Sequence, residues 1–276
     1  MEALRSPSYR IPEQHIPAAI LIKGEVSENG RFVSEKEYWN HYYRHPDFSY
    51  EWNNGYLEEK PMTDLRGSLI YQWFLDILRR YFSICPIGRI VNLEIGFRLE
   101  LPFGASVRKP DLAILRDDNP VMMHLNDFSY KGTFDLCIES LSYSSPKEVR
   151  RDTIEKKKEY ESVGVKEYYI LDARQTETAF YRLDEKGKYR KIVAKNQDII
   201  ESDVLPGFRF RISDLYRQPS LEEIAEDEVY QHYVLPFYRD VRRKIGQVES
   251  ELLIERQKSE RLVAKLRELG IDPTEV

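Results

Sequence analysis

Apolar residues recur at Leu69, Ile70, Trp73, Phe74, Ile77, Leu78 and Tyr81, the three-and-four spacing of one helical face. This spacing predicts an amphipathic helix packed on a sheet. Shorter runs carry a different signature. Residues 112–115 and 136–138 are branched-rich and bounded by turn formers, so both read as buried strands. Residues 90–101 read as one strand, returning through the turn Pro102-Phe103-Gly104 toward Asp111. Residues 167–172 read as a central strand, and 178–182 with 189–193 as a hairpin around Asp184-Glu185-Lys186-Gly187.

A second helix is predicted over residues 146–163, after the serine-rich Ser142-Tyr143-Ser144-Ser145 and with Pro146 in its first turn. At about 100° per residue, Val149, Asp152, Thr153, Lys156, Tyr160 and Val163 share one face, with Ile154 and Lys158 opposite. Lys156 is then the inward member of the run Lys156-Lys157-Lys158. Beyond Pro219 the pattern changes. Val241, Ile245, Val248, Leu252, Leu262, Leu266 and Leu269 follow an alternating four-and-three spacing, interrupted by Glu255 and Ser259, and Gly270 and Pro273 supply a stop. Such a coiled-coil-like helix can pair two subunits or fold back on its own domain.

The candidate chemistry lies at the ends of the two short strands. Asp111 opens one and Glu139 closes the other, so an antiparallel pairing would bring their carboxylates together. The linker 116–132, rich in Asp, Asn, Pro and Met, is long enough to reverse the chain and to carry a short helical piece. Paired hard oxygens suit Mg²⁺, with Mn²⁺ as a substitute. Such an ion polarises a phosphoryl oxygen and lowers the pKa of bound water. Each acid also has a plainer reading, as a strand-start turn residue or a solvated strand end. Lys156 on a packed face needs a partner: the acids or a phosphate would serve, as would Asp152 four residues earlier or a snorkelling stem. Arg108, Lys109, Lys147, Arg150 and Arg151 would surround the acids with positive potential suited to a nucleic-acid backbone. Glu148, Glu155, Glu159 and Glu161 on the same helix fit an ordinary balanced, solvated face equally well.

Composition narrows the classes. A formal net charge of −5 argues against strong nonspecific nucleic-acid binding, so any such role rests on local charge. Length (276 residues) and 41% hydrophobic content suffice for one sizeable core with appendages. No long apolar span or secretion signal is seen, so a cytoplasmic protein with no membrane partner is expected. Cys85 and Cys137 sit among apolar neighbours, as buried thiols do. The five histidines are scattered without zinc-ligand spacing. No phosphate-binding glycine loop, serine elbow or repeat is present.

The ordered set Lys109-Pro110-Asp111, then Glu139-Ser140-Leu141-Ser142, then Asp152, Lys156, Tyr160 and Gly164 at four-residue steps before Glu167-Tyr168-Tyr169-Ile170-Leu171-Asp172, resembles the Uma-type restriction endonuclease family of the PD-(D/E)XK nuclease superfamily. The likeness begins at Tyr50-Glu51-Trp52-Asn53-Asn54-Gly55-Tyr56-Leu57-Glu58 and runs to the strand pair near Tyr181. It implies an α/β (α+β) fold, a restriction-endonuclease-like core whose mixed β-sheet is flanked by helices, followed by the coiled-coil-like tail. The resemblance makes Asp111 and Glu139 the metal-binding acids and lets Ser140 lend a backbone carbonyl. It makes Lys156 the displaced catalytic lysine, since the superfamily slot two residues after the glutamate holds Leu141, and Glu51 an auxiliary ligand. The chain departs at Thr63-Asp64-Leu65-Arg66-Gly67-Ser68, where family members commonly carry a histidine. The expected organisation is an extension over 1–45, a catalytic domain over 46–217 and a helical segment over 218–276. The expected function is Mg²⁺-dependent cleavage of DNA by a homodimer. The alternatives are a non-catalytic binding or scaffold protein on the nuclease fold, or a nuclease acting on RNA.

Overall fold

The computed structural model describes residues 26–92 and 94–269. A short helix α1 (Glu35–Glu37) runs into a π-helical turn (Tyr38–Tyr42), followed by β1 (Tyr50–Asn53), β2 (Tyr56–Glu59) and α2 (Leu65–Ile84). Five strands follow: β3 (Gly88–Asn92), β4 (Gly96–Leu101), β5 (Gly104–Arg108), β6 (Leu112–Arg116) and β7 (Ser129–Tyr130). After β8 (Leu136–Ser140), one continuous helix is built from α3 (Pro146–Arg150), a π-helical turn (Arg151–Lys156) and α4 (Lys157–Val163). Then come β9 (Glu167–Leu171), β10 (Ala179–Leu183), β11 (Tyr189–Lys191), β12 (Ile199–Glu201) and β13 (Arg209–Arg211). The helices α5 (Ile212–Arg217), α6 (Leu221–Glu226) and α7 (Tyr238–Glu268) end the described chain.

Alternate residues of the central strands face opposite sides, as a pleated strand requires. Leu112, Ile114, Leu136, Ile138, Tyr169 and Leu171 meet Ile70, Phe74, Ile77, Leu78 and Tyr81 of α2. Ala113, Leu115, Cys137, Tyr168 and Ile170 face the other way, against Tyr160 of α4 and Phe97 and Leu99 of β4. Burial on both faces explains why these strands read as unbroken apolar runs. Their sheet has the order β11-β10-β9-β8-β6-β3 and is mixed, with β8 and β9 parallel and β6 and β8 antiparallel. A second sheet, β2-β1-β5-β4-β7, packs its own aromatic cluster of Tyr38, Tyr42, Tyr43, Tyr50 and Trp52. The fold is a mixed α+β one.

Several sequence expectations are corrected. The single strand over 90–101 is two strands in two sheets: β3 pairs with β6, whereas β4 pairs with β5. Chain alternation alone does not reveal such a switch. Gly96 stands just after it, and a Cβ there would lie 2.7 Å from the Arg108 carbonyl oxygen. The linker between β6 and β8 carries turns and the short β7 instead of a helical piece. Over residues 151–156 the helix is π-wound, which fits an extra residue into its turn and buries Arg151 together with Asp152 and Lys156.

The packed body does not stop at residue 217. Ile224, Ala225, Val229, Tyr230, Tyr233 and Val234 join the cluster under α2. At the other end, Val33, Tyr38, Tyr42 and Tyr43 pack with the second sheet. Helix α7 leaves the body with Val241, Ile245, Val248, Leu252 and Leu262 exposed. The predicted stop at Gly270 and Pro273 lies outside the described residues. Among the described residues no helix is long and apolar enough to cross a membrane.

Candidate active site

The register of β6 against β8 sets Leu112 opposite Ile138, and continued one step outward it brings Asp111 level with Glu139. Asp111 is fixed from two sides: its Oδ2 accepts the Ser140 backbone N–H at 2.8 Å, and its Oδ1 accepts Lys60 Nζ at 2.9 Å. Lys60 Nζ donates as well to the Lys109 carbonyl oxygen at 2.6 Å. Across the strand pair, Glu139 Oε1 accepts the Tyr160 hydroxyl at 2.8 Å and lies 3.0 Å from Lys156 Nζ. The same ammonium lies 3.2 Å from Glu51 Oε1 and 3.2 Å from Asp152 Oδ1. Lys60, Asp111, Glu139, Asp152 and Lys156 line one cavity of about 540 Å³, with Arg151 and Ser140 also on its wall.

Burial of so many acids sets the electrostatics. Desolvation pushes the Glu139 carboxyl up to about 8, with Lys156 opposing and the nearby Asp111 and Asp152 charges adding to the rise. Asp152 is also raised, by burial against the pull of Lys156 and Arg151. Glu51 goes the other way: burial is outweighed by Lys156, Arg108 and Arg151, which hold it well below the usual carboxylate range. Burial disfavours charge on Lys156, yet Asp152, Glu139 and Glu51 keep it protonated far above neutrality.

With Arg108 and its partners included, the carboxyl groups of Glu51, Glu58, Asp111, Glu139, Asp152 and Glu159 outnumber the cations Lys60, Arg108, Arg151 and Lys156. Asp152 Oδ1 and Arg151 Nε are buried without a hydrogen bond. A buried carboxylate oxygen met by ion pairs but by no hydrogen bond, a carboxyl forced toward its neutral form and an excess of acids are what a divalent cation would relieve. Asp111 and Glu139 therefore fit Mg²⁺ by donor chemistry. Among the described residues no three acidic, histidine or cysteine side chains already converge as a cage; lysine ammonium groups lie between the acids.

The predicted cations divide. Arg108 is completely buried: Nε and Nη2 grip Glu159 at 2.6 and 2.7 Å, and Nη1 meets Glu58 at 2.5 Å and Glu51 at 3.1 Å. Lys109 is also buried, bonded to Glu94 and the Tyr43 carbonyl at 2.8 Å each. Neither can reach a nucleic-acid phosphate, which corrects the sequence expectation. Acids of β1, β2 and α4 draw the Arg108 side chain inward, whereas Glu94, between β3 and β4, and the Tyr43 carbonyl hold that of Lys109. Lys147 and Arg150 are exposed, Arg150 pairing with Glu155 at 3.2 Å. Arg151 faces the cavity from a buried position, with Nη1 on the Glu59 carbonyl at 3.2 Å. At the departed histidine segment, Asp64 caps α2 by accepting the Gly67 N–H at 2.9 Å.

Sequence reasoning missed Lys60 and gave Tyr160 no task. The signal for Lys60 was present. Asn54-Gly55 is a hairpin turn, and the hairpin sets Glu51 opposite Glu58. The two-residue period then carries Lys60 to the same face as Glu58. Tyr160 stands one helical turn after Lys156.

Residues 36–213 match the Uma2 family, described as "Putative restriction endonuclease". No curated protein matches the chain. Among solved structures, one described as "a putative nuclease belonging to DUF820", from Anabaena variabilis ATCC 29413, aligns with a TM-score of 0.51 at 15% identity. The alignment covers 67% of this chain and 98% of that one. At such identity the likeness speaks for the fold, a nuclease fold. With the family match spanning both sheets and the whole carboxylate cluster, the chain belongs to the Uma2 family of restriction-endonuclease-like proteins.

Proposed function

We propose that this protein is a Mg²⁺-dependent endonuclease that hydrolyses phosphodiester bonds in DNA, with Mn²⁺ as a substitute ion. The observation that carries the reading is the β6–β8 register, which brings Asp111 level with Glu139 beside the Lys156 ammonium. Asp111 and Glu139 would hold the ion, helped by the Ser140 carbonyl and, as an auxiliary, Glu51. Bound there, a divalent ion supplies Lewis acidity and a water of lowered pKa. The chain supplies the rest. The Ser140 amide and Lys60 orient Asp111, Tyr160 orients Glu139, and the Lys156 charge stabilises negative charge developing at phosphorus. Arg151, Lys147 and Arg150 are the candidate contacts to the backbone of the nucleic acid.

A duplex has two strands and each site cuts one, which favours a homodimer. The exposed apolar seam of α7 is the surface proposed to pair the two copies. The test is supercoiled-plasmid nicking with Mg²⁺ by wild type and Lys156→Ala. Lys156→Ala should lose nicking while keeping divalent-ion affinity, and equal loss of both would refute its assigned role. A parallel RNA panel separates a DNA nuclease from a ribonuclease.

A second reading is a non-catalytic protein on the same fold. It draws support from the lysines that already neutralise the acids. Divalent-ion affinity that depends on Asp111 would count against it.

A further inference from the structure

The two lysines of the cavity are held in different ways. Lys156 is ringed by Glu51, Glu139 and Asp152, and its side chain is 2% exposed. Moving it outward would break three ion pairs inside the protein. Lys60 faces a single carboxylate, Asp111, and one carbonyl oxygen, and its side chain is 13% exposed on the cavity wall. An ammonium has three N–H donors, so these two bonds leave Lys60 one more to offer. Its stem is four flexible carbons.

Asp111 is correspondingly held by one donor that cannot leave and one that can. The Ser140 amide belongs to β8 and stays on Oδ2, whereas Oδ1 carries the Lys60 ammonium. A divalent ion taking Oδ1 would meet that ammonium at close range, and like charges at such a distance repel strongly. The ammonium must then move, and the nearest unneutralised anion in a loaded site is the phosphodiester.

We propose that Lys60 is the mobile cation of this site: it neutralises Asp111 before a divalent ion binds and turns to the substrate phosphate once the ion takes the Asp111 oxygen. The proposal rests on Asp111 being a metal ligand. It assigns different work to the two lysines, Lys156 staying fixed among the acids with its charge toward the phosphorus and Lys60 exchanging partners. Metal loading and phosphate binding are thereby coupled.

Calorimetric titration of Mn²⁺ into wild type, Lys60→Met, Lys60→Arg and Asp111→Asn tests this, with plasmid nicking on the same samples. Removing the competing ammonium should tighten Mn²⁺ binding by about tenfold in Lys60→Met, the order expected for one charge-assisted bond lost from the competing state. Nicking by that variant should nevertheless fall. Lys60→Arg, which keeps the charge, should bind Mn²⁺ within about threefold of wild type. Mn²⁺ affinity that is unchanged or weaker in Lys60→Met overturns the proposal, because a lysine that merely props Asp111 would weaken binding when removed. Should Lys60→Met fail to fold, Lys60→Gln carries the same expectation. Asp111→Asn separates the two levels. Lost binding there with no gain in Lys60→Met sinks the Lys60 role alone, whereas unchanged binding in Asp111→Asn removes the metal site itself and Lys60 with it.

Discussion

Arg108 offers the sharpest stability test, because the structure turns a residue expected to touch nucleic acid into an internal strut. Arg108→Met keeps much of the stem's volume but deletes a guanidinium that is 0% exposed and serves Glu51, Glu58 and Glu159. Removing one partner of a buried ion pair costs about 3–5 kcal/mol, since the other is left charged and unpaired. Each orphaned acid has some relief. Glu51 keeps Lys156 and the Lys109 amide, Glu58 keeps the Asn53 amide at 3.1 Å, and Glu159 is 11% exposed. Loss of two-pronged contact to Glu159 and of the guanidinium paired with Glu58 still places the expected cost near the middle of that range, about 4 kcal/mol. For a body of this size about 1 kcal/mol moves Tm by about 2–4 °C, so Tm should fall by roughly 8–16 °C. Urea unfolding followed by circular dichroism measures it directly. Arg108→Lys, which keeps charge but not the fork, should lose less, about 1.5–3 kcal/mol. A change within about 0.5 kcal/mol for Arg108→Met, typical of a surface cation, would refute the strut.

Gly96→Ala should destabilise by about 1–3 kcal/mol, because its Cβ would press on backbone, 2.7 Å from the Arg108 carbonyl oxygen, and backbone cannot turn aside; an unchanged urea midpoint would contradict this. Asp172 is pushed up by burial but pulled lower overall by the Glu177 and Arg174 amides and the Tyr143 and Thr176 hydroxyls. A depressed carboxyl adds stability above its unfolded pKa of about 4, lost as pH falls through the lower folded value. The urea midpoints of wild type and Asp172→Asn should therefore differ at pH 7 and converge under acid, and a gap independent of pH would contradict the assignment. Truncation after Phe237 should leave a folded body, since the buried apolar cluster ends at Val234, but abolish the proposed dimer in analytical ultracentrifugation. A truncated protein that still sediments as a dimer would move the interface away from α7.

Much of the site was legible because short-range rules governed it. The strand ends at Asp111 and Glu139 follow from two apolar runs, and Lys156 follows from the phase of a helix whose π turn left it buried. What stayed hidden depends on how distant pieces meet. The fate of Arg108 is decided by Glu58 and Glu159, brought to it from a hairpin and a helix. Lys60 reaches Asp111 only because β1 docks on β5, and Trp52 opposite Val107 is a long-range pairing that no local pattern encodes. The switch between sheets after Asn92 was invisible for the same reason: both halves alternate as any strand does.

On the proposed mechanism, Asp111 and Glu139 hold a divalent ion at which DNA is cut. Titrating Mg²⁺ and Mn²⁺ into wild type and Asp111→Ala, with supercoiled-plasmid nicking on the same samples, tests it most directly. Wild type should bind the ions and nick the plasmid, and Asp111→Ala should lose both. Nicking that survives in the variant, or a wild type that binds neither ion, would contradict it.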